Sequence, residues 1–101
     1  CVFLYCINKY PTLLHEMDLP LDFKPGVYDG LSDHSLGIAA PLLAAARGAR
    51  YLEKHFTLSK TWQKMTEKAH LGSMDQADLQ LIKNISEDFA LMANPPWARV
   101  D

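Results

Sequence analysis

His34 and His55 are the two residues whose types and spacing most directly indicate chemistry in this sequence. Each ends a predicted β-strand, and the stretch between them has room for the helix and turns of one β-α-β unit. Imidazoles on neighbouring strand ends could hold one divalent metal, with Mn, Fe, Co or Zn preferred over Mg. The alternative is that each histidine is a hydrogen-bonded structural residue. Because the sequence shows no third fixed ligand, the spacing alone favours structural histidines over a metal site.

Glu53 is predicted to share a face with His55. The alternation of side chains along a strand places Tyr51, Glu53 and His55 on one face and Lys54 on the other. Lys54 is expected near the outer helices, where its aliphatic stem can reach water. Glu53 and His55 should therefore point together into the space that the sheet encloses.

Other polar side chains make weaker candidates. Ser32, Asp33 and His34 have the residue types of a hydrolase triad, but three consecutive residues of an extended strand cannot converge on one proton. His15 falls in a predicted loop and is expected to be solvated. Cys6 lies among apolar neighbours in a predicted strand and is expected to be inert core.

An α/β fold with a parallel sheet is predicted to position these side chains. The predicted strands cover residues 2–7, 27–31 and 50–58, and the predicted helices cover residues 36–47 and 75–92. The first strand is a continuous apolar run, typical of a parallel strand covered on both faces. Residues 13–26 are interrupted by Pro20 and Pro25 and are predicted to hold at most a turn or two of helix. This order of elements favours a crevice for ligands at the carboxyl ends of the strands.

The helix ends carry recognisable signals. Ser35 is predicted to cap the first helix, and Pro41 is compatible only with a regular helix that starts near it. Gly48 occupies the place of a glycine that follows a helix. Ser73 and Gln76 are predicted to form a capping box at the start of the second helix.

Composition excludes several classes of protein. The chain has 101 residues, of which 49% are hydrophobic and 22% charged, with a net charge of -2, so it is expected to form one folded domain without a nucleic-acid partner. No apolar run approaches the roughly 20 residues of a membrane span, and no signal peptide is visible. Cys1 and Cys6 point to opposite faces of one strand and cannot pair, so a reducing, cytoplasmic location is expected. Because Cys1 opens directly into a strand pattern, we interpret the chain as a piece of a longer protein.

Three segments, 6–12 (CINKYPT), 30–38 (GLSDHSLGI) and 52–58 (LEKHFTL), occur in this order. Together they resemble the N-acetylneuraminate (sialic acid) synthase family, which includes pseudaminic and legionaminic acid synthases, over about residues 2–92. The resemblance implies that residues 1–101 are one partial domain, the C-terminal portion (about the sixth to eighth strands) of a (β/α)8 TIM barrel. The earlier strands and the family's antifreeze-like domain would be absent.

The resemblance also implies a reaction. The family condenses phosphoenolpyruvate with the open-chain aldehyde of an N-acylated hexosamine such as N-acetylmannosamine, forming a nine-carbon 2-keto sugar acid and releasing phosphate. His34 and His55 would ligate a divalent metal, with Mn expected and Mg or Co as alternatives. That metal would polarise the aldehyde and could position water for attack at C2.

The remaining site residues follow from the same resemblance. Asn8 and Ser32 match positions that contact the phosphate of phosphoenolpyruvate. Tyr10 and Glu53 match catalytic positions near the sugar and the metal, with Tyr10 also binding substrate. Glu53 could orient a ligand or shuttle a proton, and the sequence leaves both roles open. His70 is expected to bind substrate, and the parent protein is expected to be a homodimer.

The segment after the third strand departs from the family pattern. The family has Gly-Pro-Asp-His where the best match here is Lys68-Ala69-His70, so Ala69 replaces an acidic residue, and neither Glu67 nor Asp75 is in register. This departure supports a second hypothesis, a divergent non-catalytic barrel remnant or binding module. The chain by itself is expected to be inactive and unstable, because it would expose an apolar sheet face and two strand edges.

Overall fold

The computed structural model describes residues 1–57 and 73–93. Its elements, in chain order, are β1 (Leu4–Cys6), a 3-10 turn (Leu14–Glu16), β2 (Gly30–Ser32), α1 (Ala39–Ala46), β3 (Tyr51–Glu53) and α2 (Gln76–Ala93). The predicted order of strands and helices is confirmed. Neither helix in these ranges is long and apolar enough to cross a membrane.

The three strands form a parallel sheet with β2 in the centre, as predicted. The register aligns Cys6 with Ser32 and Ser32 with Glu53, so the last residues of all three strands lie side by side. Side chains at one level of a parallel sheet point to the same face. The carboxyl edge of the sheet therefore gathers the polar residues that follow each strand.

Each strand is shorter than predicted, with three residues apiece. Val27 belongs to a turn rather than to β2, and beyond β3 the pairing continues only as an isolated bridge between Phe56 and Met74. The apolar run of β1 is only half-buried or exposed, which corrects the expectation that both of its faces are covered. β1 is an outer strand of the sheet, so one of its edges has no neighbour within the described residues.

The core lies on one side of the sheet. Leu31, at the centre of β2, is fully buried and packs with Leu19, Phe23, Ala40 and Ala44. The alanines let α1 approach the sheet closely, while the loop before β2 supplies the larger side chains. This packing fixes the position of β2, and hence of the residues that follow it.

The start of α1 differs from the prediction. Ser35 does not cap this helix, because the residue before its first turn is Ile38, which makes no side-chain capping bond. Ser35 is instead completely buried, and its hydroxyl donates a hydrogen bond to Asp33. Pro41 lies in the first turn, where a missing N–H costs no helical hydrogen bond, as predicted. Gly48 follows the helix with φ +96°, also as predicted.

The start of α2 is capped by aspartates. The Asp75 N–H donates to Asp78 Oδ2 at 3.2 Å, and the Asp78 N–H donates to Asp75 Oδ1 at 2.9 Å. The prediction of a capping box from Ser73 and Gln76 is therefore wrong by two residues. Asp is as good an N-cap as Ser, and Asp75 directly precedes the first helical residue.

Candidate active site

The carboxyl ends of β2 and β3 are joined by a side-chain hydrogen bond. The Ser32 hydroxyl donates to Glu53 Oε1 at 2.8 Å, and its oxygen lies 3.4 Å from Nε2 of His34. The strand register places Ser32 directly beside Glu53, so this contact follows from the pairing of the two strands. Three of the residues that the sequence singled out thus form one cluster.

The imidazole of His34 is held by a main-chain carbonyl. Its Nδ1 lies 2.9 Å from the Ile7 oxygen, which can only accept, so Nδ1 carries a proton. In the neutral ring Nε2 is then the acceptor, and the Tyr10 hydroxyl donates to it at 2.8 Å. The local contacts therefore fix one tautomer, with the lone pair of Nε2 directed into the cluster.

Tyr10 brings the two predicted metal ligands to one aromatic ring. Its ring stacks on His34, with centroids 3.9 Å apart, and lies 5.8 Å from the ring of His55. Glu53 contacts the cluster by its hydrogen bond with Ser32, and His55 lies next to it because its ring is near that of Tyr10. Glu53, the last residue of β3, and His55, two residues beyond it, thus both adjoin this cluster.

The donor chemistry of His34 fits a divalent metal. A ligating histidine commonly donates its other ring N–H to a carbonyl or carboxylate, and the bond to Ile7 is of that kind. No three His, Cys, Asp or Glu residues assemble into a metal-holding group within residues 1–57 and 73–93. A metal bound through Nε2 would thus need further ligands, and the His34/His55 pair stays a prediction.

Cys6 is exposed, which corrects the expectation of an inert core residue. Its sulfur lies 3.9 Å from both ring nitrogens of His34, so it contacts the ring. Cys6 is the last residue of an outer strand and shares the face of Ser32 and Glu53, which explains its position at the cluster. Cys1 and Cys6 are both free thiols, as expected.

Lys54 and Asp33 form a buried ion pair that the sequence analysis missed. Lys54 Nζ lies 2.8 Å from Asp33 Oδ2, and the two side chains are 1% and 0% exposed. Lys54 was expected to reach water, but the carboxylate at the end of the neighbouring strand gives its charge a partner in the interior. Strand alternation carried a signal for this pair, because it turns both residues away from the face of Ser32, His34 and Glu53.

The other predicted residues have varied positions. Asn8 lies exposed just beyond β1, and Tyr10 is 36% exposed. His15 is exposed in the 3-10 turn, as predicted. His70 and Ala69 lie outside the described residues.

Comparison with known proteins decides the family. The model of the NeuB family matches residues 1–94, nearly the whole chain. The chain belongs to the NeuB family. The resemblance found in the three sequence segments is thereby confirmed.

Several characterised relatives of this NeuB-family chain are sugar-acid synthases. It is 46% identical to pseudaminic acid synthase of Campylobacter jejuni, in a match that covers 69% of the chain and 22% of that protein. It is 36% identical to N,N'-diacetyllegionaminic acid synthase of Legionella pneumophila, covering 85% of the chain and 25% of that protein. The human relative, N-acetylneuraminate-9-phosphate synthase, is 35% identical over 76% of the chain and 23% of its own length. The chain thus spans about a quarter of the length of these relatives.

A solved structure also resembles this NeuB-family chain. The N-acetylneuraminic acid (sialic acid) synthetase of Leptospira borgpetersenii, in complex with citrate, superposes with a TM-score of 0.69 at 26% identity. The match covers 93% of this chain and 33% of the synthetase. The α/β fold with its parallel sheet therefore agrees with that of a sialic acid synthetase.

Proposed function

We propose that this chain supplies part of the active site of a sugar-acid synthase that condenses phosphoenolpyruvate with an N-acylated hexosamine. The observation that carries the proposal is the convergence of Tyr10, Ser32, His34 and Glu53 at the carboxyl edge of a parallel sheet in a NeuB-family chain. Ligands of parallel α/β folds bind at this edge. We propose further that the sheet is about the sixth to eighth strands of a TIM barrel, whose active sites occupy the same end.

In this proposal His34 and His55 hold a divalent metal, with Mn first and Mg or Co as alternatives. The protonated Nδ1 of His34 supports the assignment, because it leaves the ring's lone pair on Nε2. In the structure that lone pair accepts from the Tyr10 hydroxyl, so a metal on Nε2 would have to replace this hydrogen bond. When bound, the metal would polarise the aldehyde of the sugar. Tyr10 stacks on His34, so its hydroxyl, once released from Nε2, would lie beside the metal and could contact the substrate.

Ser32 and Glu53 would act together on the substrate. The Ser32 hydroxyl has one proton, and that proton is donated to Glu53. A phosphate that accepted the same proton would release the Glu53 carboxylate from this bond. Glu53 could then orient the sugar or accept a proton, the two roles that the sequence leaves open. Asn8, just beyond β1, would donate its amide protons to the phosphate.

Phosphate release tests the proposal. The full-length protein is given phosphoenolpyruvate, a panel of N-acyl hexosamines and Mn²⁺, and inorganic phosphate is measured. We expect release that depends on the sugar and falls at least about 100-fold in Glu53→Gln, since loss of a general acid or base typically costs this much. Glu87→Gln, at an exposed position on α2, is the matched control and should retain activity. Absence of phosphate above background in the wild-type protein would contradict the proposal.

Ala69 supports one alternative function, a non-catalytic binding module with the same fold. An acidic residue at that position would help to hold the sugar or water, and alanine cannot. The two functions differ in the assay above, because a binding module releases no phosphate from phosphoenolpyruvate with any sugar. Ala69→Asp provides a further comparison, since restored activity in that variant alone would favour the module.

A further inference from the structure

The buried pair of Asp33 and Lys54 belongs to a closed hydrogen-bond network. Lys54 Nζ donates to Asp33 Oδ2 at 2.8 Å and to the Ser35 carbonyl at 2.6 Å. The other oxygen of Asp33 accepts from the Ser35 N–H at 2.9 Å and from the Ser35 hydroxyl at 2.6 Å. Both carboxylate oxygens are thus bonded in a region from which water is excluded, as a buried charge requires.

This network lies directly behind the candidate active site. Asp33 sits between Ser32 and His34 in the chain, and Lys54 follows Glu53 on the neighbouring strand. Because side chains alternate along extended backbone, the pair occupies the face opposite to the cluster. The Asp33 N–H also donates to the Glu53 carbonyl at 2.8 Å, so main chain and side chains join the two strand ends at one level.

The network fixes the backbone on both sides of His34. The residues before and after it, Asp33 and Ser35, are both bonded to Lys54. The His34 carbonyl accepts from the Thr12 N–H at 2.9 Å, and its ring donates to Ile7. The backbone of His34 cannot rotate without breaking several of these buried bonds.

We propose that Asp33 and Lys54 are a positioning pair that sets the orientation and tautomer of the His34 imidazole. The pair holds the backbone of His34 where Nδ1 meets the Ile7 carbonyl, and this bond leaves the lone pair of Nε2 facing the cluster. Two charges are costly to bury, and an apolar pair of similar volume often stabilises a fold equally well. The presence of a buried charged pair at this position is therefore better explained by its control of the geometry of His34 than by a contribution to stability. The effect of the pair on metal binding rests on the proposed function, whereas its effect on the orientation of the His34 ring is independent of that function.

Variants of the pair separate positioning from stability. Lys54→Met alone strands a buried carboxylate and is expected to destabilise the protein. The double variant Lys54→Met with Asp33→Asn leaves no unpaired charge and is expected to regain most of the thermal stability. Asp33→Asn alone keeps the shape of the side chain and an oxygen that accepts from Ser35, but it leaves the buried Lys54 ammonium without its carboxylate and is also expected to destabilise the protein. Because it changes only one side chain of the network, it is the second variant for the readout if the double variant fails to fold.

The deciding readout is the tautomer of His34, measured by ¹⁵N NMR of the ring nitrogens at about pH 8, where imidazoles are ordinarily neutral. His34→Ala assigns the signals in the full-length protein. We expect a protonated Nδ1 in the wild type and a mixture of tautomers in the double variant or in Asp33→Asn. The matched control neutralises an exposed pair, Lys24→Met with Asp22→Asn, and should keep the wild-type signals. Wild-type signals in every folded variant of the buried pair would overturn the proposal.

Mn²⁺ titration provides a second readout. We expect the folded variants of the pair to bind Mn²⁺ about 10–100-fold more weakly, the usual effect of losing support behind a metal ligand. If the wild type binds no Mn²⁺, the proposed function fails, and the NMR result still decides the role of the pair. If variants with mixed tautomers bind Mn²⁺ with wild-type affinity, positioning by the pair has no consequence for a metal and that part of the inference is wrong.

Discussion

At the scale of single residues, His34 owes its tautomer to a main-chain carbonyl. The bond from Nδ1 of His34 to the carbonyl of Ile7 joins two chain segments, one just beyond β1 and the other just beyond β2. Residue types and spacing predicted that His34 and His55 lie at strand ends. They could not predict the Ile7 contact, because a carbonyl is common to all residues and its partner is set by the three-dimensional approach of two strands.

Asp29 gives a prediction for the dependence of stability on pH. Its carboxylate accepts from the Phe3 N–H at 2.9 Å and the Gly26 N–H at 3.0 Å, and these bonds hold the pKa of Asp29 below its ordinary value. A lowered pKa in the folded state stabilises the protein above the unfolded pKa of about 4, and this contribution is lost as the pH falls through the folded pKa. Asp29→Asn should therefore lose less stability than the wild type on acidification below about pH 4.

Urea midpoints measured across that pH range check the prediction. Asp22→Asn is the control, since Asp22 is an exposed carboxylate with a lysine 4.0 Å away. We expect its curve to run parallel to that of the wild type. A parallel curve for Asp29→Asn as well would show that the Asp29 bonds contribute nothing to acid sensitivity.

At the scale of elements, the sequence predicted the features that follow from local residue patterns. It did not predict the features that depend on contacts between different strands and helices. The parallel order, the helix α2 and the place of Gly48 followed from hydrophobic runs, period and turn chemistry. The burial of Lys54 did not, because a lone lysine in a strand reads as exposed until the neighbouring strand supplies Asp33. The predicted strands are too long for a similar reason, because apolar residues continue into turns whose positions are set by tertiary contacts.

Gly30 tests the close pairing of β2 and β3. A Cβ at this position would overlap the main-chain carbonyl group of Tyr51, lying 2.7 Å from its carbon. Backbone in a paired strand cannot move aside, so Gly30→Ala is expected to cost about 3 kcal/mol or more in the free energy of unfolding. Chemical denaturation of the full-length protein measures this loss.

Gly37→Ala is the control for the glycine change. Its added Cβ would meet nothing within 4 Å, but its φ of +75° disfavours other residues. We expect it to cost about 1–2 kcal/mol, from conformation alone. Equal losses in the two variants would mean that β2 and β3 are not packed as closely as described.

At the scale of the whole molecule, large apolar side chains lie exposed along the sheet and near its edges. Phe3 and Phe56 are each 49% exposed, and Tyr51 is 46% exposed. Patches of this kind usually belong to an interface, and open strand edges invite further pairing. We therefore expect these surfaces to be covered in the full-length protein.

This expectation is checked with the 101-residue chain expressed alone. It should bind a hydrophobic dye strongly and unfold over a broad temperature range, because its core is small and large apolar side chains near its sheet are exposed. The full-length protein is the comparison and should bind little dye. A sharp, cooperative melt of a monomeric 101-residue chain would contradict the prediction.

Calorimetric titration of the full-length protein with Mn²⁺, in the presence of phosphoenolpyruvate, tests the proposed site most directly. The wild type, His34→Ala and His55→Ala are compared with His15→Ala, which changes an exposed histidine of the 3-10 turn. We predict binding to the wild type and to His15→Ala, and no binding to the other two variants while their melting temperatures remain near that of the wild type. A wild-type protein that binds no Mn²⁺, or undiminished binding by His34→Ala and His55→Ala, would contradict the proposal and make these histidines structural.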